Sequence, residues 1–165
     1  MGIGGFTSHH PSYRGRTDEW LTPPEIIKAL GEFDLDPCSP SERPWPTAKE
    51  HFTIKDDGLK KEWFGKIFLN PPYGPQTAKW LKKMAEHGNG VALIFARTET
   101  RMFFSYVWEK AQALLFIRGR LSFYEVSGRK GKINAGAPSV LIAYGDDNAN
   151  KLQSCGIAGH FVRLR

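Results

Sequence analysis

Apolar and polar positions divide this chain into short pieces. Ile67 to Leu69, Val91 to Ala96, Ala113 to Ile117 and Val140 to Tyr144 are nearly unbroken apolar runs, which read as strands covered on both faces. Between them the period lengthens. From Gln76 to Glu86, Trp80, Leu81 and Met84 share one helical face while Lys79, Lys82 and Lys83 take the other, and Phe103 to Gln112 reads as another helix. Nearer the start, Thr22, Pro23 and Glu25 have the spacing of an N-cap, a first-turn proline and a capping-box acid. They open a helix over about 23–30 with Ile26, Ile27 and Leu30 inward and Gly31 as its stop. Phe33 to Asp36 reads as the first strand of the sheet, ended by Pro37. A proline-rich loop then leads to a short strand around 51–54, and the Asp56, Asp57, Gly58 turn starts a brief helix through Trp63. Val140 to Tyr144 is expected antiparallel to its neighbour, with Phe161 to Leu164 adding an edge strand. The sum is one α/β domain: a mostly parallel central sheet with helices on both faces and an antiparallel strand near one edge.

Composition adds limits to this picture. The 165 residues suffice for one domain with a real core, and no apolar run approaches the roughly 18 residues of a membrane span. Gly4 to Arg16 is polar and basic without the apolar centre of a signal peptide, so 1–16 is expected to be a flexible basic arm, 17–165 the folded domain, and the location cytoplasmic. Cys38 and Cys155 are too few and too far apart for a disulfide framework, and neither they nor the five histidines have ligand spacing, so no metal is expected. The net charge of +6 suits a polyanionic partner.

The chemistry concentrates at Asn70, Pro71, Pro72 and Tyr73. Neither proline donates a backbone hydrogen bond, and Pro71 keeps Asn70 out of helical geometry, so the chain leaves the sheet in a stiff turn at its carboxyl edge. Open α/β sheets bind ligands at that edge. The four residues resemble the catalytic motif of S-adenosylmethionine-dependent amino methyltransferases, which act on adenine N6, cytosine N4 or a glutamine amide. An exocyclic amine conjugated to a ring is a poor nucleophile. The Asn70 side-chain oxygen and the Pro71 carbonyl can each accept one of its hydrogens, turning the nitrogen lone pair towards the methyl donor. Tyr73 is placed to stack on a flipped base, an interaction worth about 1–3 kcal/mol.

A wider set carries a more specific resemblance. Asp18, Glu19, Trp20, Thr22 and Pro23, then Leu35, Asp36, Pro37 and Cys38, then Asp57, Gly58, Leu59, Trp63 and Gly65, and finally Asn70 to Tyr73, are similar to the phage-type DNA N6-adenine methyltransferase family. The resemblance implies a minimal, single-domain Rossmann-like methyltransferase, phage or prophage encoded in a bacterial host, using S-adenosylmethionine. The family lacks the usual glycine-rich cofactor loop, as this chain does after Asp36. Cofactor contacts implied by the resemblance are Trp20, Thr22, Pro23, Asp36, Pro37, Cys38, Asp57 and Asn70. A carboxylate such as Asp36 suits the cofactor's ammonium group. Asp57, expected one strand from the Asn70 edge, suits its ribose or adenine amine, and Asp56 is the competing choice.

DNA is the expected partner. Arg97 and Arg101 fall in one carboxyl-edge loop, Arg118 and Arg120 in the next, and Arg129, Lys130 and Lys132 lie among glycines in a segment suited to clamping phosphate. With no room for a separate recognition domain, sequence preference belongs to these loops, and a monomer or weak dimer is expected. Two other readings remain open at this point. One is a methyltransferase of the same fold acting on RNA or a protein glutamine; the other is a non-catalytic basic DNA-binding protein that retains the scaffold.

Overall fold

The computed structural model describes residues 19–132 and 134–165. The arm expected over 1–16, with Thr17 and Asp18, lies outside the described residues. Strand β1 (Trp20–Leu21) precedes helix α1 (Pro24–Leu30), followed by β2 (Leu35–Asp36), β3 (Glu50–His51) and β4 (Ile67–Leu69). Helix α2 (Thr77–His87) leads to β5 (Gly90–Phe95), then to the single turn α3 (Arg101–Phe103), which continues as a π-helical segment over Phe104–Trp108. Next come β6 (Ala113–Ile117), β7 (Tyr124–Glu125), β8 (Ser139–Tyr144), α4 (Asp146–Ser154) and β9 (Gly159–Arg163).

Seven strands form one mixed sheet in the order β3-β2-β4-β5-β8-β6-β9, while β1 and β7 pair in a separate antiparallel ribbon. The β3/β2, β2/β4 and β4/β5 pairs are parallel, whereas β5/β8, β8/β6 and β6/β9 are antiparallel and carry the longer ladders. The expectation of a mostly parallel sheet is therefore corrected. Strand β8 is antiparallel to both neighbours, as expected for Val140–Tyr144, but it lies inside the sheet between β5 and β6, and the antiparallel strand at the edge is β9, the edge strand expected of the tail. Apolar runs covered on both faces do not encode strand order, so the places of Ala113–Ile117 and Val140–Tyr144 within the sheet are not legible from them. The orientations still leave β2, β3, β4, β5 and β6 pointing one way, which gathers their carboxyl ends on one edge.

Side chains alternate between two cores. Ile67, Leu69, Ala92, Ile94, Leu114, Val140 and Ile142 face Trp80, Leu81 and Met84 of α2 and Phe103 and Val107 of the α3 segment. Phe68, Val91, Leu93, Ala113, Leu115, Leu141 and Ala143 face Ile26 and Leu30 of α1 and Ala149 and Leu152 of α4. Helices therefore cover both faces, and the seven-residue α1 depends on that packing because helices so short are marginal alone. Each fully buried side chain such as Leu30 contributes about 1.5–3 kcal/mol.

Three local features differ from the sequence reading. Thr22 does not cap α1: the N-cap residue is Pro23, without a side-chain cap, and the Thr22 hydroxyl is used elsewhere. The brief helix after Asp56 is instead a pair of turns, with Asp57 at φ +54°. Their carbonyls are served by side chains: Lys83 Nζ donates to Gly58, Leu59 and Lys61, and Trp63 Nε1 to Gly58. Helix α4, absent from the sequence reading, shows why sparse patterns are missed: Ala149 and Leu152 are its buried apolar residues, and two acids in its first turn favour the helix dipole.

Gly90 sets the β4/β5 contact. At φ +147°, an added Cβ would stand 2.1 Å from the Ile67 carbonyl oxygen and 2.8 Å from Met84 Cε. Gly90→Ala is expected to cost about 2–5 kcal/mol, combining backbone strain with overpacking, measurable as a lowered urea midpoint; an unchanged midpoint would mean the two strands can part.

Candidate active site

The carboxyl ends of β2 and β4 place Asp36 and Asn70 on the same pocket wall. Trp20, Leu21 and Thr22 line it from above the sheet, with Cys38, Pro40 and Thr47 on the side after β2. Five of the sequence-derived candidates are thus brought together: Trp20, Thr22, Asp36, Cys38 and Asn70. Thr22 is buried, and its hydroxyl accepts a 3.1 Å hydrogen bond from Asn70 Nδ2. That bond occupies the amide nitrogen and leaves the Asn70 side-chain oxygen for another donor. Trp20 is not core packing, since half its surface is exposed at the pocket.

Asp36 is almost completely buried. One oxygen accepts the Cys38 backbone N–H at 3.0 Å, and the other accepts the Thr47 hydroxyl. Burial pushes its pKa up to about 6, against the smaller opposing effects of those two bonds and of Arg43. The neighbouring Cys38 thiol is also pushed up, by burial and then by Asp36, and stays neutral. His51 lies at the base of the same loop, where Nε2 accepts the Thr47 and Ala48 N–H groups at 3.2 and 3.3 Å, and burial lowers its pKa to about 4. Thr47, which sequence reasoning missed, holds this carboxylate; a threonine in an irregular loop gives no periodic signal. Trp45 was missed likewise, and its Nε1 donates to the Thr22 carbonyl at 3.3 Å while its ring meets Tyr124 edge-on.

The Asn70 to Tyr73 turn is knotted by α2. Thr77 Oγ1 donates to the Pro72 carbonyl at 2.7 Å and accepts the Gly74 N–H at 2.9 Å. Among the described residues the Pro71 carbonyl receives no backbone hydrogen bond. Tyr73 is partly exposed, while its hydroxyl is buried and burial pushes its pKa up.

Asp57 stands outside this cluster. It follows β3, two strands from β4 rather than one, and its carboxylate pairs with Lys60 at 2.9 Å. Its turn does touch the pocket's flank, because Gly58 packs so closely on the Pro37 carbonyl that a Cβ would lie 2.0 Å from that oxygen. Asp56 serves the turn itself, accepting from the Thr53 N–H and hydroxyl.

The basic candidates line the same edge. Arg97 and Arg101 are exposed on a loop fixed by Thr100, whose hydroxyl donates to the Arg97 carbonyl, and by Trp108 Nε1 on the Thr98 carbonyl. Arg118 and Arg120 are exposed beyond β6, and Arg120 reaches the Ala135 carbonyl. The 124–132 segment is a bonded hairpin rather than an unpaired clamp: β7 pairs with β1, and Arg129 makes a 3.0 Å ion pair with Glu125, leaving Lys130 and Lys132 as its exposed lysines.

A family model described as DNA N-6-adenine-methyltransferase (Dam) matches residues 9–151, most of the chain. The chain belongs to this Dam family. No curated protein and no solved structure matches it. The Dam match spans the pocket residues, the Asn70 turn and the basic hairpin. No described helix is long and apolar enough to cross a membrane, and no described cluster of His, Cys, Asp or Glu could hold a metal ion.

Asp36 and His51 act on stability in opposite directions. Asp36, raised in the fold from 3.8 to about 6, favours the folded state below pH 4 and loses that contribution as pH rises through 6. His51, lowered from 6.5 to about 4, contributes above pH 6.5 and loses it as pH falls through 4. Asp36→Asn is expected to raise stability at pH 7 by on the order of 1–3 kcal/mol and to steepen the loss on acidification. Urea titrations between pH 4 and 7 read both effects; a variant less stable at pH 7 would show the carboxylate to be favourable as it stands.

Proposed function

We propose that this Dam-family protein methylates the N6 amine of adenine in DNA, using S-adenosylmethionine, with the adenine flipped out of the duplex towards the Asn70 to Tyr73 turn. The observation that carries the reading is the Thr22 to Asn70 bond, because it directs the free amide oxygen of Asn70 to an incoming amine. Bound S-adenosylmethionine supplies an electrophilic methyl group on a sulfonium. The donor set fits it: Asp36 is a buried carboxylate whose bonds come from neutral groups, suited to an ammonium, and Trp20 offers an exposed aromatic face. Thr22 and Cys38 line the same pocket, Pro23 and Pro37 flank them in the chain, and Asp57, across the Gly58 to Pro37 contact, is the acceptor for the ribose or adenine end.

Asn70 Oδ1 and the Pro71 carbonyl accept the two N6 hydrogens and hold the lone pair towards the methyl group. With the methyl donor bound, the nitrogen would accept the methyl group, and the proton it then sheds would leave to water along its hydrogen bonds to Asn70 Oδ1 and the Pro71 carbonyl. Tyr73 stacks on the base. Arg97, Arg101, Arg118, Arg120, Lys130 and Lys132 hold flanking phosphates, with Arg129 acting mainly on Glu125. The reaction takes place in the cytoplasm of a bacterial host carrying a phage or prophage.

Incubation with labelled S-adenosylmethionine and DNA lacking N6-methyladenine, read by nucleoside mass spectrometry, is expected to yield N6-methyladenine. Label in RNA or protein but not DNA would overturn the assignment. Asn70→Ala is expected to lower turnover on the order of 10²-fold with cofactor affinity retained; equal loss of both would make Asn70 structural. Thr22→Val should cost about five- to tenfold in turnover, and Thr22→Ser should restore it. In binding titrations against salt, neutralising Lys130 and Lys132 should reduce the slope by about one per phosphate contact, with a smaller change for Arg129→Gln.

A further inference from the structure

The register of β4 against β5 explains why the motif ends in a tyrosine. In a parallel ladder each second residue donates its N–H to the carbonyl preceding its partner. Ile67, opposite Gly90, donates to the Asn89 carbonyl at 3.1 Å, and the pairing advances to Leu69 opposite Ala92. Continued two residues beyond Leu69, where β4 ends, the same geometry would direct the nitrogen of residue 71 at the Leu93 carbonyl. That residue is Pro71, which has nothing to donate. The other side of β5 offers no substitute: Ala96 N–H donates to Pro138, in register with Ile94 opposite Val140, so even-numbered residues bond to β8 and the Leu93 carbonyl faces β4.

A side chain takes the vacant place. The Tyr73 hydroxyl lies 3.3 Å from the Leu93 carbonyl oxygen. Its ring is held against Phe95, centroids 4.2 Å apart, and edge-on to Phe123 at 6.3 Å.

We propose that the Tyr73 hydroxyl replaces the N–H that Pro71 lacks, capping the interrupted ladder and locking the ring as a preset stacking surface for the extruded adenine. The hydroxyl is then a positioning group, separate from the aromatic face that touches the base. The ring's service to adenine rests on the function proposed above, whereas the ladder cap does not depend on it. Pro71 has two linked effects: its own carbonyl stays available to the amine, and its missing N–H creates the acceptor that fixes Tyr73.

A double-mutant cycle tests this, because Pro71→Ala restores an N–H at the interrupted position. Tyr73→Phe should lower the urea midpoint when Pro71 is present and leave it unchanged in the Pro71→Ala background. With Pro71 present, Tyr73→Phe should also raise the KM for DNA about fivefold while turnover and cofactor affinity change less. Equal midpoint shifts in both backgrounds, no shift in either, or an unchanged KM would overturn the proposal. Absence of methyl transfer by the unaltered protein would overturn the proposed function instead, and the denaturation cycle would still decide the ladder cap.

Discussion

The narrow contact between Gly90 and Ile67 determines where the chain can leave the sheet. β4 is three residues long, paired with β5 over that length and with β2 at Leu35. A slip of one residue would turn Phe68 out of the α1 core and rotate Asn70 away from Thr22, since alternate strand residues face opposite layers. Three residues offer little ladder to prevent that slip. The absence of a side chain at Gly90 lets Met84 of α2 close over the contact, so the helix following the Asn70 turn presses on the strand preceding it. The turn is thereby clamped at both ends before any ligand arrives.

Around that clamp the protein tolerates an electrostatic cost. A carboxylate as buried as Asp36 would be better neutral for folding, yet it is oriented by Thr47 and Cys38 and keeps one wall of the pocket polar. His51 secures the loop that carries Thr47 by staying uncharged. These groups are stabilised as a set by the proline-rich loop, which explains why so irregular a segment is held so closely. The positive groups, by contrast, sit outside on exposed loops, where charge attracts a polyanion without a comparable desolvation penalty.

Much of this was readable from local pattern. The apolar runs gave β4, β5, β6 and β8 to within a residue, and α2 appeared with its inner face correct, because buried strands and amphipathic helices write their period into sequence. The antiparallel direction of β8 is legible, but its place between β5 and β6 is not. At the site, Asn70, Thr22 and Asp36 were singled out and do meet, but Thr22 was read as a helix cap because its spacing to Glu25 satisfies that rule locally. Only tertiary structure shows its hydroxyl engaged 48 residues away. Asp57 marks another limit: the motif singles out the carboxylate, but only tertiary structure shows that it pairs with Lys60 and stands outside the pocket lining.

The route from β6 to β8 separates two demands on the protein. Because these strands are antiparallel neighbours, residues 118–138 leave and re-enter the sheet side by side. Two internal bonds, from Gly131 N–H to the Phe123 carbonyl and from Ala135 N–H to that of Leu121, tie the excursion off near its base. Beyond such a tie, lengthening a loop adds closure entropy only logarithmically. The tip beyond Glu125 can therefore change in length at little cost to the sheet, provided that Tyr124 and Glu125 keep their pairing with Leu21 and Trp20.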